Sequence, residues 1–204
     1  MITARPMPPK EILGSFCAAP DIFEFIQHTI FADGHALYNE DHSHLHHLSW
    51  PHLAFLWSDI EITKKTKRIV GECEKFMVRA GGWQKARQEA QMEQWFSRVP
   101  TFIITLDAEY CRECSDMEFC ALIEHELYHI AHAKDFMGNP AYNRDTGNPK
   151  LAITAHDVEE FVGIVRRYGM SSDVERLVEA ANAGAVLSRA TVAHSCGTCS
   201  LRVA

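Results

Sequence analysis

The chain has no apolar run approaching the roughly 18–20 residues that a bilayer-spanning helix needs. Its N-terminal stretch, MITARPMPPKEILGSF, lacks both a long apolar segment and a small-residue cleavage site, so no secretory leader is read and the cytoplasm is the expected compartment. Basic charge is scarce: 20 Lys and Arg stand against 27 Asp and Glu, for a net charge of −7. Binding a phosphate backbone needs clustered cations. The one basic run, Lys64, Lys65, Lys67 and Arg68, suits a solvated strand edge or turn. Neither nucleic acid nor a membrane is therefore an expected partner. Repeats and low-complexity linkers are missing too. With 204 residues and 47% hydrophobic content, a single domain over 1–204 is expected. Residues 1–15 and 191–204 would be peripheral tails, the first ten proline-rich and frayed.

Cysteine is present in an odd number, seven, spread from Cys17 to Cys199. Without a leader, that pattern favours thiols or metal ligands over a disulfide framework. Histidine is over-supplied. Twelve are present and seven of them fall between His28 and His52, so a histidine motif needs support from its context.

The order of elements reads as α+β. Asp21 opens a short buried helix through DIFEFIQHTIF. Residues 52–62 and 67–78 read as strands joined by the charged turn TKKTK. Residues 83–96 are rich in helix formers, and TFIITLDAEY (101–110) reads as a strand. Ser115 and Glu118 have the spacing of a capping box, starting a helix that runs to about Phe136. Residues 138–153, with two glycines and two prolines, read as loop. Thr154 can cap a helix from Ala155 to Tyr168, and Ser172 with Glu175 starts a last helix to about residue 190.

His125-Glu126-Leu127-Tyr128-His129 forms an H-E-x-x-H motif. Residues four apart lie one turn apart on the same helix face, so two imidazoles can share one Zn²⁺. Glu126, next to the first histidine, can then take a proton from the attacking water without ligating the metal. A chain of this composition would hold about 0.06 such motifs by chance, and the capping box ten residues upstream lowers that further. Phe119, Leu122, Ile123, Leu127 and Ile130 supply a packed helix face. A catalytic zinc normally has three protein ligands and one open position. His156, 27 residues after His129, is the leading third candidate, with Asp157, Glu159 and Glu160 around it to orient the ring. Glu160, Glu159 and Asp135 remain alternatives. Asp135 holds the last place of an HExxHxxGxxH/D pattern, but His132 stands where that pattern has glycine. His132 itself falls on the helix face of His125 and His129, one turn on, as a supporting group or a cation near the helix C-terminus.

HELYH followed by a loop and HDVEEF resembles the SprT-like zincins, whose helical HExxH is followed by a histidine in an H-G-x-x-[FW] motif. Here Asp157 replaces the glycine and the aromatic, Phe161, comes one residue later. The longer set FIITLD, ALIEHELYH and HDVEEFVGIVRRYG is similar, over about residues 30–170, to the phage and prophage metallopeptidases. That resemblance implies a zincin-like fold, with a small mixed or antiparallel sheet and an edge strand beside the HExxH helix. It also implies a zinc-dependent peptidase acting on a protein or peptide. TFIITLDAEY, directly before the helix, is the expected edge strand for pairing with an extended substrate. Two other classes remain as alternatives. One is a metal-binding regulatory protein with a vestigial motif, which the intact Glu126 argues against. The other is a SprT-like protease of DNA-associated proteins, which would need a basic surface.

Three further groups invite metal or catalytic readings. His42, His44 and His46 would share one face if their segment were a strand, with His47 and His52 nearby; a polar loop is the favoured reading. Cys111-x-x-Cys114 and Cys196-x-x-Cys199 would make a second, structural zinc site if they converged, with His194 as a substitute ligand. Their separation of 82 residues favours two unrelated thiol pairs. Tyr142, Tyr168, Arg166 and Arg167 are candidates for stabilising an oxyanion.

Overall fold

The computed structural model describes residues 4–64, 67–158, 165 and 168–187. Its centre is a four-stranded mixed sheet in the order β1-β2-β6-β5, made of β1 (Phe16–Ala18), β2 (Leu53–Ser58), β6 (Phe102–Asp107) and β5 (Gly71–Lys75). β2 and β6 run parallel, with Leu53 opposite Phe102 and Ser58 opposite Asp107, while β1 and β5 flank them antiparallel.

Both inner strands are near-continuous apolar runs because both faces of the sheet are covered. Leu53, Phe55, Trp57, Phe102, Ile104 and Leu106 point to the face packed by α1 (Pro20–His28) and α4 (Asp116–Tyr128). Ala54, Leu56 and Ile103 point to the other face, where Met92 and Phe96 of α2 (Gly82–Phe96) pack on them. The two-residue alternation of a strand thus feeds two cores at once.

Several expected elements are cut shorter by hydrogen bonding that the sequence does not display. The strand expected over 52–62 stops at Ser58, whose hydroxyl accepts from the Ile60 backbone N–H. β3 (Ile62–Lys64) then pairs with β4 (Lys67–Ile69), so TKKTK does connect a hairpin. The strand expected over 67–78 divides at Val70. β4 serves that hairpin, whereas β5 joins the main sheet, with the Asp107 N–H donating to the Val70 carbonyl. Arg68, expected on a solvated edge, grips Asp107 through two bonds of 2.7 and 2.9 Å and reaches Glu109. Asp107 in turn caps α3 (Ala108–Glu113) by accepting from the Tyr110 N–H. The strand expected over 101–110 therefore ends at Asp107, where the helix opens.

The expected frayed tail is also corrected. Arg5 spreads its guanidinium over the α3–α4 junction, donating to the carbonyls of Cys111 and Cys114 and to Asp116. Pro6 and Pro8 are buried beside it. Near the other end, α5 (Ser172–Ala183) is capped by Ser171, which accepts from Val174, rather than by Ser172, and stops at Gly184 with φ 83°. Residues 191–204 lie outside the described residues. No helix among the described residues is long and apolar enough to cross a membrane.

Candidate metal centre

α4 starts as its sequence predicts. The Ser115 side chain accepts from the Glu118 N–H, and Glu118 reaches back to the Ser115 N–H, at 3.3 and 2.8 Å. Phe119, Leu122, Ile123 and Leu127 then bury against the sheet. That packing fixes the rotation of the helix and turns His125, Glu126 and His129 toward one end of it.

The helix does not run on to Phe136. It ends at Tyr128, with His129 as its C-cap, and the chain turns directly into β7 (Ile130–His132). Ile130 lies where a helical stripe would continue, but its burial is met equally well by a strand. β7 pairs with β8 (Leu151–Ile153), a three-residue strand within the expected loop. This ladder brings the third histidine to the site. The Thr154 N–H donates to the His129 carbonyl at 2.9 Å, and His156 follows two residues later. Residues 154–158 are not helical, so the expected helix from Ala155 does not open there. His156 is carried by the exit of a strand.

The nitrogens of His125, His129 and His156 lie within 4.8 Å of one another, and no other cluster of this kind occurs among the described residues. Nε2 of His156 is 3.0 Å from Nε2 of His125. His129 is almost fully buried, and its Nδ1 meets the Thr154 carbonyl at 2.8 Å. As a donor, Nδ1 fixes the tautomer in which Nε2 carries the lone pair that a metal would take. Burial, then the neighbouring His129 and His156, pull the His125 pKa from 6.5 down to about 4. The imidazole is therefore neutral at pH 7, as a metal ligand must be. Three imidazoles around one point suit a borderline-soft divalent ion such as Zn²⁺.

Glu126 has no solvent exposure. It faces β5, where Gly71 lies so close that a Cβ there would sit 2.7 Å from the Glu126 Oε1 and 2.9 Å from Leu122 Cδ1. A glycine inside a strand marks such a close approach, and this signal was available in the sequence. β5 is the edge strand beside α4. TFIITLDAEY, expected in that role, supplies the inner strand β6. A cavity of about 580 Å³ opens over the histidines, walled by Tyr128, Thr154 and Leu177 of α5. The Tyr128 hydroxyl donates to Asp41 at 2.7 Å and accepts from Asn39 at 3.0 Å, a contact the sequence did not suggest.

The remaining candidates fall elsewhere. His132 lies on β7, bonded through Nε2 to the Ala141 carbonyl and packed on Tyr142, not on a helix face. The Asp135 carboxylate accepts from the N–H groups of Met137 and Asn139, closing a turn. Tyr142 and Tyr168 are exposed. The segment with His42, His44 and His46 is a 3₁₀ turn (Glu40–Leu45) and its exit rather than a strand, so the three do not share a face. His44 bonds the Ile130 carbonyl, and His42 is buried against Tyr128. Glu159, Glu160, Phe161, Arg166, Arg167, His194, Cys196 and Cys199 lie outside the described residues.

Residues 23–182 match the family described as "Putative phage metallopeptidase". The chain belongs to that family. No curated protein and no solved structure matches it. For this phage metallopeptidase the family implies a metal, and the three-histidine cluster is where the described residues could hold one.

Proposed function

We propose that this phage metallopeptidase is a zinc-dependent hydrolase of peptide bonds, with a zincin-like site of the SprT-like kind. The observation that carries the reading is the convergence of His156 on the two histidines of the HExxH motif. His125, His129 and His156 would hold the zinc, which supplies Lewis acidity and an acidified water when bound. The Thr154 carbonyl keeps the His129 ring in its ligating tautomer. Glu126 is the general base. It receives the proton of the attacking water and can return it to the leaving amine. β5, the last strand of the sheet and adjacent to α4, is the strand against which an extended peptide would lie. The substrate is a protein or peptide segment long enough to enter the cavity over the histidines.

The test is zinc retention after dialysis of His156→Ala and Glu160→Ala, side by side. His156→Ala should lose its zinc at micromolar free metal, and Glu160→Ala should keep it. The reverse result would remove the three-histidine assignment and put a glutamate in its place.

A further inference from the structure

A second reactive centre lies at the other end of α4, remote from the histidines and independent of their role. Cys111 is the fourth residue of α3, and Cys114 is its C-cap, immediately before the N-cap of α4. The Cys114 thiol donates to the Cys111 carbonyl, Sγ to O 3.8 Å, which folds the two side chains of the Cys-x-x-Cys turn against one another. Over this pair lies Arg5, its side chain only 9% exposed. Nη1 is 3.6 Å from Cys114 Sγ and 2.7 Å from the Cys111 carbonyl, and Nη2 is 2.7 Å from the Cys114 carbonyl.

A guanidinium fixed beside one sulfur of a Cys-x-x-Cys pair stabilises a thiolate there. It disfavours a second cation on the same sulfur, and so argues against a structural zinc on Cys111 and Cys114. We infer that Cys111 and Cys114 form a redox-active dithiol, with Cys114 the attacking sulfur and Cys111 the resolving one, oxidised by hydroperoxides to an intrachain disulfide. The neighbours divide the roles. The neighbouring Cys111 thiol and then Arg5, whose Nη1 lies 3.6 Å from the sulfur, draw the Cys114 pKa below the usual thiol value against the effect of burial. The Cys114 sulfur beside it, together with burial, holds Cys111 above it. Burial raises Cys17 and Cys120 as well. Cys114 is the less buried residue of the two, at 9% exposure against none for Cys111.

In the first step the Cys114 thiolate attacks a peroxide oxygen. An S–O bond forms, the O–O bond breaks, and the departing hydroxide is protonated to water. The Cys111 sulfur then attacks the sulfenic sulfur. An S–S bond forms, the S–O bond breaks, and hydroxide leaves as water with the Cys111 proton. Two thiols and one hydrogen peroxide thus give one disulfide and two waters, with two electrons passing to the peroxide. Oxidation removes the thiolate that Arg5 faces and leaves the guanidinium on the two carbonyls and Asp116.

The test is peptide mapping of the full-length protein after limited hydrogen peroxide treatment and alkylation. Trypsin cuts after Arg112, so the disulfide is read as two linked peptides. The expected result is that the Cys111–Cys114 link forms first and is reversed by dithiothreitol, while Cys17, Cys73 and Cys120 remain alkylatable. Cys111→Ser should leave a sulfenic acid on Cys114 that dimedone traps. Arg5→Gln should slow oxidation of Cys114 by about threefold or more. Oxidation of Cys17, Cys73 or Cys120 ahead of the pair would overturn the inference. So would reactivity of the pair only after a chelator has removed a second zinc, the outcome expected of a four-cysteine metal site. The mapping on wild type requires no variant to fold, and neither result depends on peptidase activity.

Discussion

Replacing Gly71 with alanine tests the contact between the edge strand and the proposed base. Gly71 does not need glycine for its backbone angles; among the described glycines it is the one limited by space. An added Cβ would meet Glu126 Oε1 at 2.7 Å and Leu122 Cδ1 at 2.9 Å, and ordinary contact begins at 3.4 Å. The carboxylate must therefore retreat by roughly 0.7 Å, and at zero exposure it has no solvent to retreat into. Overpacking of this kind costs about 1–3 kcal/mol. In a chain of this size that lowers the melting temperature by roughly 2–12 °C. A misplacement near 1 Å at a catalytic group costs on the order of 10²-fold in rate, so a loss between tenfold and a hundredfold is expected. The assays are thermal melting, zinc content and peptide hydrolysis, with Gly81→Ala as control because nothing lies within 4 Å of its Cβ position. Zinc content should hold, since the contact falls on Glu126 and not on a histidine. A Gly71→Ala protein with wild-type melting and wild-type activity would refute the reasoning.

Three other outcomes are expected. Asp135→Ala should retain its zinc in the same dialysis that empties His156→Ala, because its carboxylate serves only the turn N–H groups of Met137 and Asn139; loss of metal would return it to the ligand set. Metal-free protein should lose stability as pH falls from 6.5 toward 4. Burial, and then His44, lower the His42 pKa to about 4, so the unfolded chain binds the proton first and unfolding is favoured throughout that window. The His42 contribution is about 3 kcal/mol, and urea unfolding of His42→Leu at pH 7 and 4.5 should show a flatter dependence than wild type. Tyr128→Phe removes the hydroxyl held by Asp41 and Asn39; it should keep zinc and lose about 1 kcal/mol of stability, and loss of zinc would show that the cavity wall also supports the metal ligands.

Much of the frame was legible in the sequence because it rests on local rules. The Ser115–Glu118 capping box, the apolar face of α4, the inner strands LAFLWS and FIITLD, and the spacing of His125 and His129 all express short-range patterns. What was missed depends on partners distant in the chain. β7 and β8 are three residues each, too short for periodicity, and each is stable only because the other pairs with it. Ile130 fitted a helix and a strand alike, so the helix was extended through it. The route by which His156 comes beside His125 and His129, at the exit of a strand, is therefore not legible from local pattern. The exchange of edge strands has the same cause, since nothing local to FIITLD shows that β5 will pair outside it. Arg5 was set aside as part of a tail because its partners lie more than a hundred residues away.

The most direct test of the account compares wild type with Glu126→Gln for zinc content and for cleavage of a proteome-derived peptide library. The account predicts one zinc per chain and an unchanged fold in both proteins, with cleavage by wild type reduced by orders of magnitude in the variant. Equal cleavage by the two proteins would contradict it.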